Sequence, residues 1–75
     1  MGCHARIVAS VWPFGELAHD QLTITANSVT DLAGVVRWYA PKFRPSWEAR
    51  DLYVTERLHG GFRSWRFRNG YLKRL

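Results

Sequence analysis

The side chains best suited to contact another molecule are arginines and aromatic rings, which alternate near the end of the chain. They lie between Phe62 and Leu75, on both sides of the pair Asn69-Gly70. Asn and Gly accept the positive φ angles of a type I′ turn, so this pattern predicts a β-hairpin. Arginine binds phosphates and carboxylates bidentately and stacks on rings. We therefore expect a hairpin that packs one face on a core and offers a cationic, aromatic face to a partner.

Groups that could support acid–base, nucleophilic or metal chemistry are few and poorly spaced. The residues of the types that bind zinc are Cys3, His4, His19 and His59. Their spacing matches no structural zinc site. Asp51 and Glu56 are five residues apart on a predicted strand, so they point to opposite faces. Gly60-Gly61 leads into a strand, whereas a phosphate-binding loop leads into a helix. We expect a protein that is not an enzyme, with no catalytic residue, no metal and no cofactor.

Positive charge is concentrated in the C-terminal part of the chain. The 75 residues carry a net charge of +5, with a pI near 10.2. Up to Pro41 there are two cations against three acidic residues, and beyond it nine cations against three. Nine of the eleven cations are arginine. This distribution favours contact with an anionic partner, either an acidic protein surface or nucleic acid.

Length and composition predict one small domain, residues 1–75, in the cytoplasm. A chain of this length builds one core, which its four Trp, three Tyr and four Phe help to fill. A single cysteine, Cys3, cannot form an internal disulfide, which is typical of a reducing compartment. No apolar run approaches the ~20 residues that cross a bilayer, and the first residues lack the features of a signal peptide. We expect neither a membrane nor a small-molecule substrate as a partner.

The first half of the chain predicts two strands and a helix. Ala5 to Trp12 is rich in β-branched residues, and Leu22 to Ala26 alternates apolar and polar residues as an antiparallel neighbour. A helix is predicted to begin at Ser28, whose hydroxyl can cap it, and to end near Tyr39, because Pro41 disfavours helical geometry before it. The apolar stripe predicted to face the core is Leu32, Val35, Val36 and Tyr39.

A crossover loop and three more strands complete the predicted fold. The loop runs from Pro41 to Trp47, and Trp47 and Trp38 are expected to cap the core. Residues 51–58 alternate as a third strand, and the C-terminal hairpin supplies the fourth and fifth. The predicted class is α+β, with one helix on a four- to five-stranded, mostly antiparallel sheet in the order ββαβββ.

The two faces of the C-terminal strands follow from the turn at Gly60-Gly61. As a two-residue turn it pairs Val54 with Phe67, whereas a three-residue loop that includes His59 pairs Val54 with Arg66. Only the first register keeps arginine out of the core, since a slip of one residue exchanges the faces. The predicted core face holds Leu52, Val54, Trp65, Phe67 and Leu72. The other face holds the predicted partner-binding residues, which are Tyr53, Arg57, Arg66, Arg68, Tyr71 and Lys73.

The Thr-Ile-Thr strand followed by a Ser-initiated amphipathic helix resembles the ubiquitin-like β-grasp over roughly the first forty residues. The resemblance implies a β-grasp arrangement of the strands. It does not extend to modifier activity, because the Gly-Gly pair is internal and the chain ends in Lys73-Arg74-Leu75. The other arrangement considered is a C-terminal three-stranded meander packed on the helix, with the first hairpin placed elsewhere.

Residues 58–68, followed by Tyr71, resemble the C-terminal strands of RelE-type ribonuclease toxins. That resemblance implies ribonuclease activity as a remote alternative. The family places two helices before its sheet, where this chain has a β-rich start.

Three interpretations of the Arg and Tyr face remain open. Arg, Tyr and Trp dominate protein interfaces, which predicts an accessory or inhibitory protein that docks on a larger assembly. Arginines that neutralise phosphates, with Tyr53 and Tyr71 stacked on bases, would instead bind RNA or single-stranded DNA. The third interpretation is a solvated face whose arginines oppose edge aggregation. The predicted function is protein binding, with nucleic acid as the alternative and the oligomeric state open.

Overall fold

The computed structural model describes residues 6–17 and 20–75, which form a small α+β domain with one helix on a five-stranded antiparallel sheet. The strands are β1 (Ile7–Pro13), β2 (Leu22–Ala26), β3 (Leu52–Leu58), β4 (Gly61–Arg68) and β5 (Tyr71–Arg74), and the helix is α1 (Val29–Phe43). A short 3₁₀ helix, Pro45–Ala49, lies between α1 and β3. The strands lie side by side in the order β2-β1-β3-β4-β5. Ala5, where the first strand was predicted to begin, lies outside the described residues.

The core lies between α1 and one face of the sheet. β1 pairs with β2 on one side and β3 on the other, so it has a neighbour on both sides, and its pairing with β2 is antiparallel as predicted. Val11, Leu52 and Val54 meet there with no exposed surface. The predicted core face of the C-terminal strands is also confirmed, because Trp65 and Phe67 are 4% and 7% exposed. Alternation along β4 therefore places the neighbouring arginines on the opposite face.

The helix begins as predicted but ends later. Ser28 has an extended backbone, and its hydroxyl accepts a hydrogen bond from the Asp31 N–H at 3.2 Å. The predicted end near Tyr39 is wrong, because α1 continues through Pro41 to Phe43. Proline removes one helical N–H donor, but the Arg44 N–H still bonds to the Ala40 carbonyl at 2.9 Å and closes the last turn.

The predicted buried stripe is confirmed at Leu32 and Val36, with Val35 partly buried against the core, but not at Tyr39. The buried helical residues are Leu32, Val36 and Ala40, whereas Tyr39 is 49% exposed. The two tryptophans predicted to cap the core have different environments. Trp47 is 4% exposed and packs with Phe43 at a ring separation of 5.2 Å, while Trp38 is 61% exposed. Only Trp47 is part of the core, and the expectation for Trp38 is wrong.

The two turns of the C-terminal meander have different geometries. Asn69 and Gly70 both have positive φ (54° and 83°) and join Arg68 to Tyr71, which confirms the predicted hairpin turn. The other turn consists of His59-Gly60, not Gly60-Gly61. The observed pairing of β3 with β4 is shifted by two residues from the predicted register, so Val54 faces Trp65 and Leu52 faces Phe67. The faces are unchanged, because a shift of two residues preserves the alternation.

The observed register gives a buried carboxylate its partner. Glu56, 7% exposed, lies opposite Arg63, and Arg63 Nε donates to Glu56 Oε1 at 2.8 Å. The predicted register would have placed Glu56 opposite Trp65. A buried charge without a partner is costly, so the ion pair favours the observed alignment.

The glycines of this turn provide a test of the register. Gly60 has a φ of +86°, while Gly61 is not in the left-handed region and has open space where a Cβ would lie. Gly60→Ala is expected to lower the free energy of unfolding by about 1 kcal/mol. Gly61→Ala, the matched control, is expected to be neutral, and chemical denaturation measures both. Equal losses from both substitutions would indicate the predicted Gly60-Gly61 turn instead.

The strand order differs from a β-grasp, in which the first and last strands are parallel neighbours. The two tight turns tie β3, β4 and β5 into a meander, so either β3 or β5 could have paired with β1. β3 takes that place because it supplies two fully buried residues, whereas β5 has four residues, of which only Leu72 packs against the core. All described pairs are antiparallel, and the first hairpin extends the same sheet as the meander. The β-grasp expectation is therefore corrected, as is the placement of the first hairpin elsewhere.

Candidate interaction surface

The face of the sheet opposite α1, which we call the open face, carries all six predicted partner-binding residues. Strand pairing arranges them in rows across the sheet. Tyr53 lies opposite Arg66, and Arg66 lies opposite Lys73. In the next row Arg68 lies opposite Tyr71. Tertiary structure thus brings five of the six residues together at the ends of three adjacent strands.

Arg57 does not join this group. It lies four residues from Tyr53 on β3, which corresponds to roughly 13 Å along a strand. Its cross-strand neighbour is Phe62, a ring that is 69% exposed. The five clustered residues are separated from Arg57 and Phe62 by Thr55 and Ser64, whose hydroxyls are 3.0 Å apart. The predicted site is therefore divided by a row of small hydroxyl side chains.

Tyr53 is held by contacts within the protein. Its ring packs at 4.8 Å from Trp12 and 5.9 Å from Phe14, both tilted relative to it. Its hydroxyl donates to Ser64 Oγ at 3.0 Å. The ring is half-buried. Tyr53 therefore supports the surface from within and offers little of its ring face for stacking on a ligand.

Arg66 is also engaged internally. Its guanidinium lies over the Phe14 ring at 4.6 Å and donates through Nε to Asp51 Oδ2 at 3.2 Å. Its Nη2 contacts the same carboxylate oxygen. Stacking and ion pairing hold the guanidinium group in place, and the Asp51 carboxylate neutralises part of its charge.

The position of Asp51 in the sequence indicates its contact with Arg66. Asp51 immediately precedes β3 and lies two residues before Tyr53, so an extended backbone places both side chains on the same face. The Phe14 N–H donates to the Asp51 carbonyl at 2.9 Å, which extends the pairing of β1 with β3 by one residue. The contact depends on the observed register of β3 and β4, since that register brings the Asp51 carboxylate beside Arg66 and Arg68.

The remaining predicted residues project from one corner of the open face. We call this group, Arg68, Tyr71 and Lys73, the β4–β5 corner. Tyr71 is 76% exposed, and the Arg68 side chain is 61% exposed. Arg68 Nε is 3.8 Å from Asp51 Oδ1, and Lys73 has no acidic partner among the described residues. Together with Arg66 and Asn69 these residues line a shallow depression of about 350 Å³.

Ion pairs neutralise part of the positive charge on the loop side of the molecule. Arg44 binds Asp20 through two hydrogen bonds of 2.8 and 3.0 Å, and Arg50 pairs with Glu16. On the open face, by contrast, the carboxylate of Asp51 contacts Arg66 and Arg68, and no ion pair is found for Arg57 or Lys73 among the described residues. Clustered charge with one internal counter-ion favours an anionic partner.

No group of three or more His, Cys, Asp or Glu side chains that could hold a metal ion occurs within residues 6–17 and 20–75. Cys3, His4 and His19 lie outside those residues, and His59 lies in the exposed turn between β3 and β4. No helix in the described part of the chain is sufficiently long and apolar to cross a membrane.

No protein-family model, curated protein or solved structure matches this chain. The first described element is the strand β1, so the two helices that precede the sheet of RelE-type toxins are not found among the described residues.

Proposed function

We propose that this protein is a non-enzymatic binding module that docks on an acidic surface of a larger assembly, as an accessory or inhibitory factor, through the β4–β5 corner. The observation that carries the proposal is the exposure of Arg68, Tyr71 and Lys73 together on the open face. Two of these residues are cations, and the third is a ring with a polar tip. Tyrosine and arginine are the residue types most often found at the centres of protein interfaces.

Rigid support of the corner adds to this proposal. Asn69 and Gly70 form a tight turn behind it, and Arg37 Nη2 of α1 donates to the Gly70 carbonyl at 2.8 Å. Arg66, held by Asp51, forms the inner wall. A side-chain group that is already ordered loses less conformational entropy when it binds, so affinity per contact is higher.

Removal of the two exposed cations tests the proposal. Arg68→Ala with Lys73→Ala is expected to abolish recovery of a stoichiometric partner in affinity purification from the native cell, after nuclease treatment. The matched control is Arg44→Ala with Arg50→Ala, which removes the same charge from the loop side of the molecule and should retain the partner. Equal recovery with both double variants would place the interface elsewhere. Loss of the partner on nuclease treatment alone would favour the second candidate.

The second candidate is binding of RNA or single-stranded DNA across the open face. The observation that favours it is Arg57 and the exposed ring of Phe62 on the far side of the Thr55 and Ser64 hydroxyls, which extends the cationic and aromatic character along the sheet. Log affinity for an oligonucleotide would then fall against log salt with a slope of about −0.7 per phosphate contacted. Absence of oligonucleotide binding at ~50 mM salt would exclude this candidate.

A further inference from the structure

The two edges of the sheet have opposite character. β5 forms one edge with four residues and carries Lys73 and Arg74. β2 forms the other edge with the sequence Leu-Thr-Ile-Thr-Ala, which has no charge and no proline. Natural sheets protect their edges with charge, proline, bulges or short strands, because unpaired N–H and C=O groups recruit other strands. Among the described residues, β5 is protected in this way and β2 is not.

Apolar helix surface adjoins the unprotected edge. A groove of about 180 Å³ lies between β2 and α1 and is lined by Leu22, Thr23, Ile24, Thr25, Val35 and Tyr39. Tyr39 is 49% exposed, although it lies on the side of the helix nearest the sheet edge. None of the lining residues is charged. The edge thus combines unpaired backbone groups with apolar side chains on α1, which is the combination that strand addition uses.

We propose that β2 pairs antiparallel with β2 of a second copy of this chain, which joins two sheets into one of ten strands. A two-fold axis through Ile24 pairs all five residues of β2. It places Leu22 opposite Ala26 of the second copy, and Ile24 opposite its own equivalent. The core faces of both copies then match, since these three residues are on the α1 side of each sheet.

The same register is favourable on the open face. Thr23 and Thr25 are exposed there. The two-fold axis places Thr23 opposite Thr25 of the second copy, and Thr25 opposite Thr23 of the second copy. Thr pairs directly opposite one another on neighbouring strands contribute favourably. A shift of one residue would bring threonine to the core side, and a shift of two would leave residues of β2 unpaired.

Charge favours β2 over β5 as the edge that pairs with a second copy. A chain of net charge +5 repels its own copy, and the repulsion is smallest across an edge without cations. Pairing through β5 would instead oppose Lys73 and Arg74 to their equivalents. Pairing through β2 leaves the two β5 strands at the outer edges, nine strand spacings or roughly 43 Å apart across the sheet, with the β4–β5 corners at diagonally opposite ends. One dimer would then present two cationic corners on a continuous open face.

Sedimentation velocity between ~1 µM and ~1 mM protein tests the proposal, over the range in which weak to moderate dimers dissociate. The wild-type chain is expected to shift from 8.7 kDa to twice that mass. Thr23→Lys with Thr25→Lys should remain monomeric throughout, because four lysines would meet at the seam. The control, Ser46→Lys with Ala49→Lys, adds the same charge at exposed sites of the 3₁₀ helix and should still dimerise. A wild-type chain that stays monomeric, or a lysine pair at β2 that dimerises like the control, overturns the proposal.

Disulfide trapping tests the register separately. In a Cys3→Ser background, Thr23→Cys with Thr25→Cys should form covalent dimers under mild oxidation, because opposite residues lie within the Cα separation that disulfides need. In the single variants Thr23→Cys and Thr25→Cys, the new cysteine lies only diagonally from the same cysteine of the second copy, at about 7–8 Å. Each single variant should therefore cross-link several-fold less than the double variant. Equal trapping by the single and double variants would refute pairing about Ile24.

Discussion

Trp65→Ala is expected to lower the free energy of unfolding by about 3–5 kcal/mol, which is the cost of replacing a buried aromatic residue and leaving a cavity. Trp65 is 4% exposed and lies opposite Val54, which is fully buried. Its ring also lies below the guanidinium groups of Arg63 and Arg74, at 5.2 and 5.9 Å from the centroid. A domain of this size has roughly 4–11 kcal/mol of stability in total, so the variant loses a large share of it.

Phe62→Ala is the matched control for this substitution. Phe62 is an aromatic residue of the same strand, but it lies on the open face and is 69% exposed. Its replacement should change stability by no more than about 0.5 kcal/mol. Urea denaturation followed by far-ultraviolet circular dichroism measures both, since that signal arises chiefly from the backbone. If the two variants lose equal stability, the two faces of β4 have been assigned wrongly.

Arg63→Met is expected to be the second most destabilising change, at about 2–3 kcal/mol. The Glu56 side chain is 9% exposed, and Arg63 is its ion-pair partner. Removing one member of a buried pair leaves the other charge in a poorly solvated site, and the partial exposure of Arg63 limits the loss. Glu56→Leu combined with Arg63→Met should recover most of the stability, because the double variant has no uncompensated charge.

Arg66→Met serves as the comparison for that experiment. Arg66 also lies on β4 and pairs with an acidic residue of the neighbouring segment, but Asp51 is 32% exposed. Solvent can stabilise Asp51 when its partner is lost, so the expected cost is about 1 kcal/mol or less. Thermal or urea unfolding of all three variants provides the measurements. A loss for Arg63→Met no greater than that for Arg66→Met would show that burial of Glu56 does not determine the effect.

The corrected register shows how far alternation alone can predict a sheet. Alternation separated Trp65 and Phe67 from Arg66 and Arg68, and that separation is confirmed. It could not distinguish two registers that differ by two residues, because both give the same faces. The burial of Glu56 and its pairing with Arg63 favour the observed register, and neither is visible in the local pattern.

The predicted partner-binding residues separate into internally bound and exposed ones for a similar reason. Their common face followed from the period of the strand, but their availability did not. Arg66 is bound by Asp51, and Tyr53 is packed beside Trp12 and Phe14, on a strand far away in sequence. Arg68, Tyr71 and Lys73 are the exposed group because they lie at the corner, where Arg68 approaches Asp51 only at 3.8 Å.

By itself, the sequence determined the features that depend on neighbouring residues. Ser28 began the helix because its hydroxyl caps a nearby N–H, and Asn69-Gly70 formed a turn because both accept positive φ. Only the tertiary structure decided which meander strand joins β1, how far α1 extends past Pro41 and which cations keep their charge exposed. Those outcomes depend on burial and on contacts between distant segments, where the favourable packing of β3 against β1 and of Ala40 in the core outweighs local preference.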